Sequence, residues 1–266
     1  MRTVYMALGP ESFDEVKVNA ARHDAVVMPY AMARANKDKL AGLPELYLHV
    51  PACYGRPGVY QGDFFDPWYQ MADKCDGWLM DPQGQPVYSR WGDRFFDLRI
   101  RWGAEQQIAR LMADILAAKL VEAFVGAQDQ VRGLFVDCTW DEMTPMGSGY
   151  TTKDDQNWKR GTWLFLNTLK TRLPLVALVG NGWCASPALD AEVVEGFPRD
   201  PWWMYRNNVR RYCYEKDVWM LPMGASRGVG ITEDDALQAW AFGMTYTNGT
   251  PALCMNDLSL VDWGDE

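Results

Sequence analysis

Residues 133–137 read Gly-Leu-Phe-Val-Asp, an apolar run that ends in an acid, and residues 138–142 (Cys-Thr-Trp-Asp-Glu) add two more acids. Such short apolar runs recur along the chain and are separated by amphipathic stretches. Near-continuous apolar strands that alternate with helices are typical of a parallel sheet covered on both faces. The other predicted strands are residues 3–8, 25–30, 46–50, 175–180, 191–195, 218–222, and either 244–247 or 252–255.

Eight strands with intervening helices in 266 residues predict an α/β protein, a single (β/α)8 TIM barrel over residues 1–266. The predicted helices include one that starts at a Ser12 cap, and the others are residues 36–41, 104–124, 158–173, 207–216 and 233–242. A doubly wound open sheet is the alternative. It would carry a glycine-rich phosphate turn after its first strand, and residues 9–11 contain no such turn.

Residues 52–103 form a long segment after the third predicted strand, rich in Gly, Pro, Asp and aromatic residues. We interpret this segment as an insertion into the barrel. Within it, residues 81–85 (Asp-Pro-Gln-Gly-Gln) have the composition of a hairpin turn.

Composition and charge argue against several classes of partner. The chain has 26 basic and 35 acidic residues, a net charge of −9, and no large basic cluster, so nucleic acid is not an expected partner. No apolar run reaches the ~18 residues of a membrane helix, and no membrane partner is expected. The N-terminus lacks the apolar core of a secretory signal, which predicts a cytoplasmic location. Six scattered cysteines and two histidines suggest reduced thiols and no metal site.

Thirteen tryptophans are the unusual feature of the composition. They are compatible with a core rich in large side chains. They are also compatible with a cleft lined by flat rings that stack on sugar faces. Composition does not choose between these two interpretations.

The ends of the predicted strands locate a candidate active site, because barrels of this type carry their sites at the C-terminal ends of the strands. Asp137 and Glu195 end apolar strands that are two positions apart in the barrel order. We therefore expect them to face each other across the mouth. Glycoside hydrolysis uses such a carboxyl pair, one as general acid and one as nucleophile or base.

The strand 133–137 with its following acids resembles a hypothetical glycosyl hydrolase family of TIM barrels, distantly related to the endo-α-1,4-polygalactosaminidases. Residues 181–183 (Asn-Gly-Trp) and 193–197 (Val-Val-Glu-Gly-Phe) share the resemblance, which covers about residues 24–256. It implies a glycosidase reaction on a poly- or oligosaccharide, with a catalytic pair at the acidic strand ends. Two earlier stretches also fit, 78–81 and 96–98.

Several further residues lie at or just after strand ends and are candidates for substrate binding. An amide such as Asn181 bonds a sugar hydroxyl or satisfies the loop backbone, and the acids Asp141 and Glu142 are ligands or solvated loop residues. Aromatic side chains in these places are candidate stacking platforms. The aromatic candidates are Tyr30, Tyr54, Trp140 and Trp183. His49 also closes a strand, and we expect it to be a core histidine.

In the leading hypothesis Asp137 is nucleophile or base, Glu195 is the general acid, and no metal or cofactor is needed. Retention and inversion are both open. The alternative hypothesis is a non-catalytic barrel that binds carbohydrate or builds an assembly, for example a bacteriophage tail component. The absence of a signal peptide motivates this alternative, which implies a homo-oligomer or a virion assembly and a virion-associated location.

Overall fold

The computed structural model describes residues 2–9, 11–55, 65–89, 92–104, 106–125, 128–147, 149–197, 216–222 and 252–255. The strands in these ranges are β1 (Arg2–Met6), β2 (Ala25–Pro29), β3 (Glu45–Pro51), β4 (Tyr54–Gly55), β5 (Arg94–Phe95), β6 (Val131–Asp137), β7 (Ala177–Asn181), β8 (Ala191–Phe197), β9 (Asp217–Pro222) and β10 (Ala252–Met255). The α-helices are α1 (Phe13–Ala20), α2 (Tyr30–Ala35), α3 (Phe65–Lys74), α4 (Ile108–Ala123) and α5 (Thr152–Arg172).

The main sheet is parallel and closes on itself. Its strand order is β1–β10–β9–β8–β7–β6–β3–β2, and β1 pairs with both β10 and β2. In the register of the sheet, Asp137 lies opposite Pro51 on one side and Asn181 on the other. The predicted α/β class with a curled parallel sheet of the TIM type is confirmed. The alternation of strand and helix around the whole barrel includes segments outside the described ranges and stays a prediction.

Alternate residues of the strands fill the barrel interior. Tyr47, Phe135 and Trp219 are buried there, with the ring centroids of Tyr47 and Trp219 4.9 Å apart. Gly133 makes room for Tyr47, because a Cβ at position 133 would lie 2.5 Å from that ring. The smaller members of this inner layer are Val4, Met6, Ala25, Val27, Val179, Ala191 and Val193. Since side chains of a strand alternate between its faces, the intervening residues belong to the layer that faces the helices.

The helix layer is built on capped helices with buried apolar faces. Ser12 and Glu15 form a capping box that starts α1, as the sequence predicted. α5 begins at Thr152 rather than at the predicted residue 158, because Thr151 and Asp154 form a second capping box. The polar first turns of α5 carry no apolar period, so the sequence pattern showed only its later part.

Two other parts of the chain differ from the prediction, and some predicted elements lie outside the residues that the structure describes. Residues 30–35 (Tyr-Ala-Met-Ala-Arg-Ala) form α2 immediately after Pro29, and the helix predicted at 36–41 is a short 3-10 turn, Lys37–Lys39. α3 was not predicted. β10 matches the second of the two alternatives for the last strand. The following predictions lie outside the described residues: the helix 233–242, the strand 244–247 and nearly all of the helix 207–216.

The long segment after β3 returns to the barrel mouth. β4 and β5 pair antiparallel, with Tyr54 opposite Phe95, and the amide of Phe96 donates to the carbonyl of Cys53 at 2.8 Å. The predicted turn at residues 81–85 is confirmed, since the Asp81 amide donates to the Gln85 carbonyl at 2.8 Å. These contacts place Tyr54 beside the C-terminal ends of β3 and β6.

α5 packs closely on the segment that precedes α4, and this contact yields a stability prediction. A Cβ at Gly161 would lie 1.6 Å from the carbonyl oxygen of Leu98, so that the backbone of one of the two segments would have to move to accommodate it. We expect Gly161→Ala to lower the free energy of unfolding by about 3 kcal/mol or more. Chemical denaturation measures the change, with the exposed Lys153→Ala in the same helix as control. A loss below about 1 kcal/mol would contradict the close approach.

Within the described ranges, no helix is both long and apolar enough to cross a membrane.

Candidate active site

The candidate site lies at the C-terminal ends of β3, β6 and β7. Asp137 and Asn181 are the last residues of their strands, and His49 is third from the end of β3. All three continue the inward set of strand positions, two residues after Phe135, Val179 and Tyr47. The strand period therefore brings an acid, an amide and an imidazole to the same end of the barrel interior.

The Asp137 carboxylate is the centre of this group. Its Oδ1 accepts the Cys138 amide at 2.9 Å and the Asn181 Nδ2 at 3.0 Å. Its Oδ2 accepts the Tyr54 hydroxyl at 3.1 Å and lies 3.5 Å from the His49 Nε2. Three of these four groups are side chains from other strands, so the carboxylate is held by the assembled mouth and not by a cage of backbone amides.

The environment of Asp137 favours its ionised form. Burial by itself raises the pKa of this carboxyl group. The contact and charge of His49, the Tyr54 hydroxyl and the Cys138 amide outweigh burial and lower the pKa below its ordinary value. The side chain is still 20% exposed. An ionised, accessible carboxylate fits the role of nucleophile or base better than that of general acid.

The backbone after Asp137 and Asn181 is strained. Cys138 has φ +59° and Trp183 has φ +66°, values that residues with a Cβ seldom adopt. The two strand ends are joined by a hydrogen bond from the Thr139 amide to the Asn181 carbonyl at 3.1 Å. Such outliers cluster at functional sites, where the surrounding structure holds them in place.

Asp141 does not join this group. Its carboxylate is 1% exposed, pairs with the Lys159 ammonium at 2.9 Å and accepts the Trp163 indole N–H at 2.9 Å. It also accepts the Ala185 amide at 3.2 Å. Asp141 was a candidate substrate contact, but in the structure it has an internal anchoring role, because its carboxylate oxygens accept hydrogen bonds from protein donors.

The prediction that Tyr30 is a stacking platform for sugar is also wrong. It is the first residue of α2, is 3% exposed, and packs edge-on against Phe124 with ring centroids 6.0 Å apart. Its position follows Met28 in the strand period, and Met28 belongs to the helix-facing layer. The chain therefore directs Tyr30 away from the mouth.

The other candidates lie near the mouth. Trp140 and Trp183 are half-buried, and Trp140 lies 6.2 Å from Phe95 between ring centroids. Glu142 is partly exposed just after them. Trp140 and Glu142 lie in the loop that follows β6. Asn181 is the last residue of β7, and Trp183 lies in the loop that follows it.

Glu195 lies in β8, with its backbone opposite Leu221 of β9. β7 separates β8 from β6, so the backbones of these two strands are about 10 Å apart. Position 195 follows Ala191 and Val193 in the two-residue period of β8. The backbone thus places Glu195 two strands from Asp137 at the same end of the barrel.

The roles of two residues in the site, His49 and Tyr54, were not predicted from the sequence. His49 was expected to be a core histidine, yet its strand position, two residues after the inward Tyr47, was a usable signal. Tyr54 was considered for stacking, whereas its hydroxyl donates to Asp137. No local pattern indicates that contact, because it depends on the pairing of β4 with β5.

The Tyr54 contact predicts a change in the pH dependence of any activity that needs ionised Asp137. Removal of the donor in Tyr54→Phe weakens the charged form and raises the pKa of Asp137. The acid limb of the kcat/KM profile should therefore move to higher pH. The exposed Tyr88→Phe is the control, and an unmoved acid limb in Tyr54→Phe would contradict the assignment.

Within the described ranges, no group of three or more His, Cys, Asp or Glu side chains is arranged to hold a metal ion. Cys53, Cys75, Cys138 and Cys184 are thiols that form no disulfide.

The fold of the chain is similar to that of several glycoside hydrolase domains of known structure. The glycoside hydrolase domain of PelA from Pseudomonas aeruginosa matches with a TM-score of 0.59 at 15% identity, over 97% of this chain and 96% of that one. The GH36 alpha-galactosidase AgaA from Geobacillus stearothermophilus matches with a TM-score of 0.57 at 11% identity, over 98% of this chain and 39% of that one. No protein-family model and no curated protein matches the sequence. At these identities the likeness concerns the fold.

Proposed function

We propose that the protein is a glycoside hydrolase that cleaves a polysaccharide with Asp137 and Glu195 as its two carboxyl groups. The observation that carries this proposal is the partly exposed Asp137 carboxylate at a strand end, held by side chains from neighbouring strands that favour its ionised form. The glycoside hydrolase folds of the structural neighbours support the same reaction class and a polysaccharide partner.

In the proposed reaction Glu195 donates a proton to the glycosidic oxygen as the bond from that oxygen to the anomeric carbon breaks. Asp137 either attacks the anomeric carbon or removes a proton from the water that attacks it. In the first route a water molecule, which Glu195 deprotonates, then displaces Asp137 from the anomeric carbon, so the configuration is retained after two inversions. The second route has one displacement and inverts the configuration. Both need an ionised Asp137, which the donors around it stabilise.

Substrate contacts are proposed for the residues that surround the mouth. Trp140 and Trp183 offer rings for stacking on sugar faces, and Asn181 and Glu142 offer hydrogen-bonding groups. Asp141 and Tyr30 are not included, since both are buried away from the mouth.

We further propose that residues 1–266 form a single (β/α)8 barrel domain with residues 52–103 as an insertion. The closed strand order and the β4–β5 pair within that segment support this proposal. The relation to endo-α-1,4-polygalactosaminidases rests on the sequence resemblance and suggests galactosamine polymers as the first substrates to test.

The non-catalytic alternative is not favoured, because the structural neighbours are glycoside hydrolase domains. Homo-oligomer or virion assembly stays a prediction, as does a cytoplasmic or virion-associated location. The expected independence from metals and cofactors also awaits test.

The proposal is tested by the release of reducing ends from purified polysaccharides. The panel includes an α-1,4-linked galactosamine polymer, its N-acetylated form, an α-1,4-glucan and a β-1,4-xylan. We expect turnover on at least one polymer, with shorter products visible by mass spectrometry. Full-length polymer in every sample after prolonged incubation would contradict the proposal.

A further inference from the structure

The β7–β8 loop (residues 182–190) is held by Glu192, the second residue of β8. One oxygen of this carboxyl group accepts the Trp183 amide at 2.7 Å and the Cys184 amide at 3.2 Å. The side chain is fully buried. Trp183 has the left-handed φ described above, which a residue with a Cβ disfavours. The two hydrogen bonds from its own and the next amide therefore help to keep the loop in this conformation.

Two other buried charged side chains hold the same loop. Asp141 accepts the Ala185 amide, and the Lys216 ammonium donates to the Cys184 carbonyl at 2.8 Å. These groups come from the segment after β6 and from the residue that precedes β9. Since each faces the backbone of the loop, the conformation of residues 183–185 is fixed by the barrel around it.

The loop is in turn fitted to the mouth of the site. A Cβ at Gly182 would lie 2.7 Å from the Thr139 amide nitrogen and 2.9 Å from the Trp140 Cδ1. Asn181, immediately before Gly182, donates to Asp137. A shift of the loop would therefore change the shape of the mouth where Trp140 and Trp183 lie.

We infer that Glu192 is a positioning residue for glycan binding, acting through the backbone of Trp183 and Cys184. It does not touch the substrate, because it is buried on the helix-facing side of β8, next to the inward Ala191 and Val193. The role in glycan binding rests on the proposed function. The role in fixing the loop does not.

Burial and the nearby charge of Asp141 raise the pKa of the Glu192 carboxyl group to about 8, although Lys216 and the two loop amides act in the opposite direction. A raised pKa is also the mark of a general acid. Here the burial of the group and its backbone partners separate it from the mouth, so we assign it to the loop.

The test compares Glu192→Leu, which removes the acceptor, with Glu192→Gln, which keeps one acceptor oxygen on a side chain of the same shape. Hydrogen exchange of a peptide that spans residues 182–186 reports on the loop in the full chain. KM and kcat on the α-1,4-linked galactosamine polymer report on binding and chemistry. For the Leu variant we expect at least tenfold faster exchange in this peptide and a KM raised about tenfold, with kcat changed less than threefold. The Gln variant should restore both within twofold.

Unchanged exchange in Glu192→Leu would overturn the inference, and so would faster exchange with an unchanged KM. If the Leu variant does not fold, Glu192→Asp takes its place, because the retracted carboxylate should also lose the loop amides and speed exchange. If the wild type does not cleave the polymer, the proposed function fails on this substrate. The exchange comparison then still decides whether Glu192 positions the loop, and unchanged exchange refutes it.

Discussion

Replacement of Asp137 by asparagine is expected to lower kcat on the cleaved polysaccharide by roughly 10²–10⁴-fold. The amide has the shape of the carboxylate and keeps one oxygen to accept the neighbouring donors. It has neither the negative charge that stabilises positive charge at the anomeric carbon nor the basicity to activate water. Steady-state release of reducing ends measures the effect, and Glu195→Gln should lose activity to a similar extent.

The matched control is Asp114→Asn in α4. Asp114 pairs with Arg172 at 2.7 Å on the outside of the barrel, far from the strand ends in the chain topology. It should retain activity within twofold, and all three variants should keep the circular dichroism of the wild type. An Asp137→Asn protein that keeps more than about a tenth of wild-type activity would refute the catalytic role of this residue.

Glu192→Gln is expected to remove a large pH dependence of stability. The pKa of Glu192 is raised in the folded protein from 4.5 to about 8, so between these values the folded state holds one more proton than the unfolded state. The wild-type free energy of unfolding therefore loses a contribution of about 1.4 kcal/mol per pH unit as pH rises through this window. The Gln side chain does not titrate. The stability difference between variant and wild type should thus grow to several kcal/mol in favour of the variant by pH 8, relative to its value near pH 4.5.

Urea denaturation at half-unit steps from pH 4.5 to 9 measures this difference. Glu122→Gln, at the exposed end of α4, is the control and should follow the wild-type curve closely. Parallel curves for wild type and Glu192→Gln would show that Glu192 titrates normally, and the account of its burial would then be wrong.

The barrel was predictable because its strands are short apolar runs in a regular order. β6 ends in Asp137, as predicted, whereas β8 continues two residues beyond Glu195 to Phe197. The structure places these two strands two positions apart. The boundaries of α5 were less predictable, since its first turns owe their conformation to the Thr151 capping box rather than to an apolar face. α3 was not predicted, although its buried residues Phe65, Trp68, Met71 and Ala72 have the three- and four-residue spacing of an amphipathic helix.

The candidate site shows why the alternation of side chains between the two faces of a strand matters as much as the position of a residue at the strand's end. Tyr30 follows β2 and His49 lies near the end of β3, and of these two only His49 continues the inward set that includes Tyr47. Counting alternate residues from the apolar core would have selected His49 and rejected Tyr30. Tyr54 was beyond such counting, because an antiparallel pair formed across about forty residues of chain brings its hydroxyl to Asp137.

Glu192 and Glu195 show that a sequence pattern alone does not give the role of each acid in a strand. Both acids lie in the apolar run of β8, and the pattern of acidic strand ends selected Glu195. Only the contacts with Trp183 and Cys184 show that the other acid holds a neighbouring loop. A buried carboxyl group with backbone partners carries no sequence motif of its own.

The most direct test of the account is the separation of the Asp137 and Glu195 carboxyl groups in a crystal structure of the whole chain. The two-carboxylate mechanism predicts about 5–5.5 Å for a retaining enzyme or about 6.5–9.5 Å for an inverting one, across an open cleft. A separation well beyond about 10 Å, or a Glu195 side chain directed away from Asp137, would contradict the proposed mechanism.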